Sequence, residues 1–405
     1  MDYTESFVQM RNAFSSVENA REVDNIEIRK FSFCSLSYNL LPGTENYHCE
    51  THNQSFQDNL LFYNDIGTIQ YDVHMKDVHV EENRAFDYYL IRPKGSAPAK
   101  KVIFMFHGFN EKNWDKYLPW AKALCDRNQA TVVLFPIAFH MQRAPLAWSE
   151  KRKMYDLSKK RRERYPNIIH STLSNVAISM RLHSMPQRFI WSGLETYYDA
   201  IQFIEECKNG KNELIDKDFT FDIFAYSIGG LLAQILKLSD YKGYFSNSKV
   251  CLFCSGAVFN RLSPVSKFIL DSEANVALYS YLVEHFDSFL KKDAHLHHYI
   301  EEHLEGKVFR SMLEYQKMRG FRENLLKKYQ HQIYAVSLKK DYVIPSFEIM
   351  NTLQGAFRDI DIRVDEHDFE FGYTHENPFP LNPSQLEKVE QQFNLIFDKI
   401  AGFLS

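Results

Sequence analysis

One short segment of the chain places a serine where it could act as a nucleophile. Residues 225–230 read AYSIGG and follow residues 219–224, whose alternating and then apolar side chains predict a buried strand; helical spacing begins directly afterwards. A strand that turns into a helix this abruptly strains the backbone at its apex, Ser227, and requires small residues two positions before and after it. Ala225 and Gly229 meet that requirement. The serine hydroxyl would then stand above the sheet near the free N–H groups of the helix, although an ordinary small-residue turn gives the same pattern.

A serine hydroxyl becomes an effective nucleophile when a histidine takes its proton and a carboxylate orients that histidine. Such partners are expected in loops at the carboxyl ends of later strands. Residues 332–338 predict one of those strands, and Asp341 follows it directly. Asp341 could instead cap a helix that begins near Pro345, which is a frequent role of aspartate. The chain order of serine, acid and then histidine favours the catalytic role.

Two histidines follow Asp341 at suitable positions. His367 lies near the end of the predicted strand 360–364, whereas His375 lies in the next loop, among prolines and aromatic residues that would hold it rigidly. A histidine in a loop beyond the last strand can reach over the serine, whereas one beside a strand more often packs or faces solvent. We therefore predict His375 as the general base and keep His367 as the alternative.

The chemistry also needs two N–H groups that bind the negative charge of a tetrahedral intermediate. One is predicted to be the backbone N–H of Ile228, directly after the serine. The other is expected in the loop after the apolar strand 101–106, where His107, Gly108 and Phe109 follow. Gly108 would let the backbone approach a substrate, so the N–H of Phe109 is the predicted donor. His107 and Gly108 are assigned to substrate binding.

The segments HGFNE, FAYSIGG and THENPFP, with an aspartate after a strand and a late loop histidine, resemble the α/β-hydrolase superfamily. They also look like an uncharacterised bacterial branch of it, described as a domain of unknown function. The resemblance extends from about residue 71 to the C-terminus and departs from the usual pattern at Ala225, where glycine is typical. It implies an α/β fold with a mostly parallel eight-stranded sheet, helices on both faces, a Ser-His-Asp triad and no cofactor.

This resemblance implies a serine hydrolase, similar to esterases and lipases, that cleaves a carboxylic ester or a related acyl compound through an acyl-enzyme. A small-molecule acyl substrate is then the expected partner. The same machinery supports acyl transfer and amide cleavage, and a protein with this fold can also bind a ligand without turnover. Labelling of Ser227 by a fluorophosphonate would separate an enzyme from a binding protein.

The predicted elements around these residues alternate as a parallel sheet requires. After the strand at 101–106 the sequence predicts a helix at 114–128 and a strand at 131–135, an order that implies a right-handed crossover. Further strands are predicted at 71–80, 86–92, 249–254, 332–338 and 360–364, and a final helix at 386–404.

The domain organisation follows from these elements. Residues 1–66 are interpreted as an N-terminal extension packed on the core, and residues 67–405 as the hydrolase domain. Two stretches, at about 137–190 and 259–330, are too long for ordinary connections and are interpreted as helical lid or cap insertions.

The first insertion carries two groups of polar residues. His140 and Arg143 follow a strand end near the expected pocket and are assigned to substrate binding; Arg143 could hold a substrate carboxylate or form a structural ion pair. Lysine and arginine are dense over residues 151–164. This density indicates a solvated helical face, with an anion-attracting rim as the alternative.

No metal site is predicted. Cys251 and Cys254 lie in an apolar strand without a second pair nearby and are expected to pack in the core. The second insertion contains four histidines without a distinctive ligand spacing, which we expect at the surface rather than on zinc: His295, His297, His298 and His303.

The composition indicates a globular chain of enzyme size. Of its 405 residues 45% are hydrophobic and 15% aromatic, which is enough for a large core. The net charge of −4, from 48 basic and 52 acidic residues, gives no drive toward nucleic acid.

No stretch approaches the roughly 20 apolar residues that cross a bilayer, and the N-terminus lacks the pattern of a secretory signal. Six scattered cysteines fit a reducing compartment, so we expect a cytoplasmic location; the oligomeric state is left open.

Overall fold

The computed structural model describes residues 3–57 and 76–405. Within these residues nine strands form one sheet in the order β1-β2-β5-β7-β6-β8-β9-β10-β11, and β3 and β4 form a separate hairpin. The strands are β1 Ala20–Val23, β2 Ile26–Cys34, β3 Asn46–Cys49, β4 Gln54–Gln57, β5 Ala85–Pro93, β6 Ala99–Phe106, β7 Thr131–Leu134, β8 Ile215–Tyr226, β9 Val250–Phe253, β10 Ile333–Leu338 and β11 Arg363–His367.

The large sheet is mostly parallel. Strands β7, β6, β8, β9, β10 and β11 pair with one another in parallel, whereas β5, β2 and β1 continue the sheet beyond β7 in antiparallel pairs. Strands β7 and β9 are buried along their whole length, as expected for strands covered on both faces. Their sequences are accordingly continuous apolar runs rather than alternating ones.

Helices occupy both sides of this sheet. They are α1 Tyr3–Ser15, α2 Glu81–Arg84, α3 Leu118–Asn128, α4 Lys151–Arg164, α5 Val176–Ser184, α6 Arg188–Lys208, α7 Gly229–Ser239, α8 Ser272–Tyr279, α9 Phe286–Leu290, α10 Ala294–Glu302, α11 Leu304–Ser311, α12 Arg319–Lys328, α13 Ser346–Leu353 and α14 Leu386–Leu404. A π-helical turn, Ser280–Glu284, follows α8.

Alternate residues of the central strands point into two separate hydrophobic cores. Ile103 and Met105 of β6 face a core shared with α1, α3 and α14. Val102 and Phe104 of the same strand face the other core, shared with α6, α7, α13 and the helices of both insertions. A mostly parallel sheet between two helical layers is the α/β-hydrolase architecture that the resemblance implies.

The sheet has nine strands within the described residues, not the eight that were predicted. The additional strands β1 and β2, at one end of the sheet, come from the N-terminal segment; the edge strand β1 reads AREV and is largely exposed, so no apolar alternation marks it. The prediction of a strand at 71–80 is wrong for the part of this range that the structure describes. Residues 71–75 lie outside the described residues, and Asp77–His79 form a 3-10 turn.

The last strand begins three residues later than predicted. Ile360 and Ile362 are buried ahead of the strand, and β11 itself carries charged residues because it is the edge strand of the sheet. The apolar residues Ile360 and Ile362 therefore led to a predicted strand, 360–364, that begins too early in the chain. Of the helices in the described residues, none is long and apolar enough to pass through a membrane.

Candidate active site

Ser227 occupies a sharp bend between a strand and a helix. Strand β8 ends at Tyr226 and α7 begins at Gly229, and Ser227 has a φ of +55°, in the left-handed region that side chains rarely adopt. Its backbone N–H donates to the carbonyl oxygen of Phe253 (3.2 Å), and its carbonyl oxygen accepts a hydrogen bond from the Ser255 hydroxyl (2.6 Å). The loop after β9 therefore holds the strained residue in place.

Gly229 shows why the bend requires a small residue on its helical side. A Cβ atom there would lie 2.7 Å from the carbonyl oxygen of His107 and 2.8 Å from that of Phe106. Both neighbours are backbone atoms at the end of β6, which cannot move aside. Glycine thus lets α7 approach β6 closely, and this contact brings the loop after β6 beside Ser227. Ala225, on the strand side, is fully buried.

Ser227, His375 and Asp341 form one continuous chain of hydrogen bonds. The Ser227 hydroxyl lies 2.8 Å from Nε2 of His375, and Nδ1 of His375 lies 2.7 Å from Oδ2 of Asp341. An ionised carboxylate can only accept, so Nδ1 carries the proton and Nε2 offers its lone pair to the serine. All three side chains are buried. The arrangement can remove the serine proton during attack on an electrophilic carbon.

The second carboxylate oxygen of Asp341, Oδ1, holds the side chain in its orientation. Oδ1 accepts from the backbone N–H groups of Val343 and Ile344, both at 2.9 Å, in the turn after β10. The alternative role as a helix cap is not the one found, because α13 begins later, at Ser346, with Pro345 as its N-cap. The turn leaves Oδ2 free to meet His375.

The loop that carries His375 is held by Tyr226, a residue that the sequence analysis did not identify. The Tyr226 hydroxyl donates to the carbonyl oxygen of His375, and the two rings stack at 5.4 Å. An aromatic residue directly before the serine was the available signal. His367 lies elsewhere: it ends β11 and faces Lys399, with 3.5 Å between Nε2 and Nζ.

The loop after β6 presents one free N–H group beside the serine. The N–H of Gly108 donates to the Tyr117 hydroxyl (2.8 Å), whereas neither Phe109 nor Ile228 has a hydrogen-bond partner for its N–H in the described part of the chain. These are the two groups predicted as oxyanion donors. His107, assigned to substrate binding from the sequence, is fully buried and is not among the residues that line the cavity beside Ile228.

His107 fixes the loop. Its Nε2 accepts from the N–H of Ile137 (2.9 Å), so its Nδ1 donates to the carbonyl oxygen of Gly108 (2.8 Å). Through these two hydrogen bonds the imidazole ring links the loops that follow β6 and β7. Burial lowers the pKa of His107 well below its usual range, and the neighbouring His140 lowers that pKa further. This lowered pKa agrees with the geometry, because only a neutral imidazole can accept the hydrogen bond from the N–H of Ile137.

A narrow cavity of about 40 Å³ begins at Phe109 and Ile228. Its other walls are mostly apolar and include Phe189, Leu231, Leu232 and Phe309. Phe109 also lines an open groove of about 520 Å³, together with other residues of the loop after β6 and with Thr374 and Glu376, which flank His375. The residue after the serine thus lines an apolar cavity, and the residues on either side of His375 line a more polar groove.

His140 lines the apolar cavity with one unused nitrogen. Its Nδ1 donates to the carbonyl oxygen of Ala138 (2.8 Å), which leaves the lone pair on Nε2, and Nε2 has no partner among the described residues. Burial lowers the pKa of His140 to about 4, and the charges of Lys112 and Arg143 act in the same direction. The ring is therefore neutral near pH 7 and can accept one hydrogen bond.

Arg143 does not line the cavity. Its guanidinium is fully buried and forms ion pairs with Glu195 (3.1 Å) and Asp199 (2.8 Å), above the ring of Phe86 at 4.1 Å. The structural ion pair, which the sequence analysis kept as the alternative, is the arrangement found. Burial raises the pKa of Glu195, and Asp199 acts in the same direction, whereas Arg143 lowers it and so favours the ionised carboxylate of the ion pair.

The remaining predicted residues divide into two groups. Cys251 and Cys254 are fully buried free thiols in the core, as predicted. The expectation that the histidines of the second insertion lie at the surface is wrong for His298 and His303, which are buried. Their neighbours come from the distant hairpin β3–β4, a contact that spacing within the insertion could not reveal.

Comparison with known structures adds the following similarities. The chain is similar to carboxyl esterase 2 (TmelEST2) from the fungus Tuber melanosporum, with 14% identity over 79% of this chain and 81% of that one and a TM-score of 0.44. It is similar to esterase Est22, with 11% identity over 99% and 85% and a TM-score of 0.45. It is also similar to a thermostable esterase from Pseudomonas putida ECU1011, with 9% identity over 100% and 89% and a TM-score of 0.40.

These similarities are too low to carry a functional argument. A search of curated protein sequences finds no match. One family does match along the whole length, at residues 1–405, and it is described as a family of unknown function. The chain therefore belongs to that family, DUF6051.

Proposed function

We propose that this protein is a serine hydrolase that cleaves a carboxylic ester through an acyl-enzyme. The observation that carries the proposal is the hydrogen-bonded chain from the Ser227 hydroxyl through His375 to Asp341, with contacts of 2.8 and 2.7 Å. Strain at the serine, burial of all three side chains and two unpaired N–H groups nearby support the same chemistry.

In the first half of the reaction, Ser227 Oγ attacks the ester carbonyl carbon while its proton moves to Nε2 of His375. The carbonyl oxygen becomes an oxyanion, which accepts hydrogen bonds from the N–H groups of Phe109 and Ile228. Asp341 stabilises the imidazolium ion that forms. The intermediate collapses, the alcohol leaves with the proton from Nε2, and the acyl group remains on Ser227.

In the second half, a water molecule replaces the alcohol. His375 Nε2 takes a proton from that water as its oxygen attacks the acyl carbon, and the same two N–H groups bind the second oxyanion. Collapse breaks the bond to Ser227 Oγ, which recovers its proton from His375. The products are the carboxylic acid and the free enzyme.

The two spaces beside the serine suggest how an ester is oriented. The acyl group occupies the apolar cavity that begins at Phe109 and Ile228, whose volume of about 40 Å³ suits a short chain. The alcohol occupies the open groove beside Thr374 and Glu376. Nε2 of His140 offers an acceptor for a hydroxyl or amide N–H on the acyl group.

A fluorophosphonate probe tests the proposal directly, because it forms a covalent bond only with an activated serine. Wild type should be labelled with one probe per chain, and Ser227→Ala should not be labelled. Ser192→Ala is the matched control: its hydroxyl lines the same cavity and donates to the backbone of its own helix at 2.7 Å, so this variant should be labelled like wild type.

Mass spectrometry of the labelled peptide identifies the modified residue. Absence of labelling in folded wild-type protein, or labelling that persists in Ser227→Ala, would contradict the proposal. The first result would favour a protein that binds a ligand without turnover.

A further inference from the structure

Four potential metal ligands converge at a site that the triad does not use. Cys49 ends β3 and His52 lies in the turn to β4, while His298 lies in α10 and His303 lies between α10 and α11. Their ligand atoms all lie within 4.8 Å of one another. Cys49, His298 and His303 are buried, and His52 is the most accessible of the four.

Three of the six distances between these atoms match those around a single tetrahedral ion. Nε2 of His303 lies 3.3 Å from Nε2 of His298 and 3.4 Å from Sγ of Cys49, and Sγ lies 3.6 Å from Nδ1 of His52. Zinc bonds of about 2.05 Å to nitrogen and about 2.3 Å to sulfur, at tetrahedral angles, separate two nitrogens by about 3.3 Å and nitrogen from sulfur by about 3.6 Å.

A carboxylate outside the cluster orients one of the ligands. Nδ1 of His303 lies 3.2 Å from Oε1 of Glu305, and Glu305 accepts a hydrogen bond from the Tyr198 hydroxyl. A histidine that donates from Nδ1 to a carboxylate directs the lone pair of Nε2 toward the cluster. Carboxylates in this position are typical of zinc-bound histidines.

Hydrogen bonds alone do not satisfy this group of atoms. With Nδ1 of His303 protonated, its Nε2 holds a single lone pair, yet both the thiol of Cys49 and Nε2 of His298 approach it within hydrogen-bond range. Only one of the two can donate to it. A metal cation removes this conflict, because Sγ of Cys49 and Nε2 of both histidines can then each direct a lone pair at the ion.

We propose that Cys49, His52, His298 and His303 bind a structural zinc ion. One sulfur and three nitrogens suit zinc, and four protein ligands leave no open position for catalysis. Binding releases the thiol proton of Cys49 to solvent and leaves a thiolate on the metal. This proposal differs from the sequence-based prediction of no metal, which could not take the cluster into account because Cys49 and His303 are 254 residues apart.

The ion would fasten a weakly held hairpin to the second insertion. Strands β3 and β4 form an isolated two-stranded hairpin with mostly exposed residues, an element of marginal stability without further support. Its apolar contacts include Tyr47 against His295 (4.4 Å) and Tyr299 (5.5 Å). His303 also directly precedes α11, which carries Phe309 into the wall of the apolar cavity.

Metal analysis of the purified chain tests the proposal. Protein expressed with zinc in the medium should contain about one zinc ion per chain, and Cys49→Ser and His52→Ala should each lower that content at least about tenfold. Cys34→Ser and His48→Ala are the matched controls, because both residues are exposed and outside the cluster. They should retain zinc.

Cobalt provides a readout of the coordination itself. The wild-type chain loaded with Co²⁺ should show the strong visible bands of a tetrahedral ion and a thiolate-to-cobalt charge-transfer band that Cys49→Ser lacks. Chelation of the metal should speed hydrogen exchange at residues 46–57. Folded wild-type protein without zinc or cobalt bands, another metal in its place, or a zinc content that the cluster variants do not change would overturn the assignment.

Discussion

Arg161 and Asp271 form a bidentate ion pair from which solvent is excluded. Nε of Arg161 lies 2.7 Å from Oδ2 of Asp271, a terminal guanidinium nitrogen lies 2.9 Å from Oδ1, and both side chains are fully buried. The pair joins α4 of the first insertion to the N-cap of α8 in the second, where Asp271 also accepts from the N–H of Ala274 (3.0 Å). Arg161 is thus a buried structural residue among the mostly exposed basic residues of the segment 151–164.

Removal of Arg161 should therefore destabilise the protein strongly. Arg161→Leu leaves the carboxylate of Asp271 buried without its partner, which typically lowers the free energy of unfolding by about 3–5 kcal/mol. Lys327→Leu is the control, because its pair with Asp359 (2.6 Å) is exposed and is expected to contribute about 1 kcal/mol or less. Urea unfolding monitored by fluorescence measures both, and equal shifts of the two midpoints would contradict the prediction.

Replacement of Asp341 tests whether its carboxylate orients His375 without contributing to substrate binding. In Asp341→Asn the amide can donate to Nδ1 of His375, which moves the imidazole proton to Nε2 and removes the base from the serine. We expect kcat for a p-nitrophenyl ester to fall by about 10³–10⁴-fold with little change in KM.

Asp398→Asn is the control for Asp341→Asn, because Asp398 is an exposed carboxylate on α14 that pairs with Arg127 (2.6 Å). It should retain nearly full activity. A similar kcat for Asp341→Asn and wild type would exclude the orienting role of Asp341.

Gly229 and Gly402 should respond in opposite directions to the same added methyl group. At Gly229 the new Cβ would meet the carbonyl oxygens of His107 and Phe106 at 2.7 and 2.8 Å, so α7 must shift away from β6 and the N–H of Phe109 must move. Loss of one oxyanion donor costs about 10²–10³-fold in kcat, which is the expected effect of Gly229→Ala.

At Gly402, an exposed position of α14, nothing beyond the backbone of the helix itself lies within 4 Å of the new Cβ. Gly402→Ala should therefore stabilise the chain by about 0.5–1 kcal/mol through helix propensity and leave kcat unchanged. Thermal unfolding and ester hydrolysis measure the pair. Full activity in Gly229→Ala would show that the close approach of α7 to β6 is not needed for catalysis.

The local parts of the site were accessible from sequence because each is written in a few consecutive residues. Small residues around Ser227 indicate the bend, and an apolar strand followed by Asp341 or by a loop histidine indicates a partner. The main features that were missed depend on contacts between distant segments. Strand β1 has no apolar pattern of its own, and the ligands of the proposed zinc site meet only after the second insertion folds onto the N-terminal hairpin.

Phe309 is expected to set the length of acyl chain that the cavity accepts. It lines the same cavity as Ile228 and lies against Gly193, where an added Cβ would come within 2.6 Å of its ring. We expect wild type to hydrolyse short p-nitrophenyl esters in preference to long ones. Phe309→Val should shift the ratio of kcat/KM values toward the longer chains by about tenfold.

Phe357→Ala controls for the loss of a large apolar side chain, because Phe357 is 79% exposed and outside the cavity. Its chain-length profile should be that of wild type. If Phe309→Val left the profile unchanged while remaining folded and active, the acyl group would have to bind elsewhere, for example in the groove beside Thr374.

The two buried histidines near the serine should make the protein sensitive to mild acid. Burial lowers the pKa of His140 to about 4 and that of His107 well below its usual range. The unfolded chain takes up protons on both rings as the pH falls below about 6.5, whereas the folded chain does not until the pH approaches the folded pKa values. Acid therefore favours the unfolded state, and the free energy of unfolding should fall by about 1.4 kcal/mol per pH unit for each histidine.

His140→Gln removes one of these two contributions. Between about pH 5 and pH 6.5 the free energy of unfolding of this variant, measured by urea titration, should depend on pH less steeply than that of wild type by about 1.4 kcal/mol per unit. The exposed His331 supplies the control, since His331→Gln should leave the slope unchanged. Identical slopes for wild type and His140→Gln would mean that the ring of His140 takes up its proton without unfolding, for instance through the free Nε2 that faces the cavity.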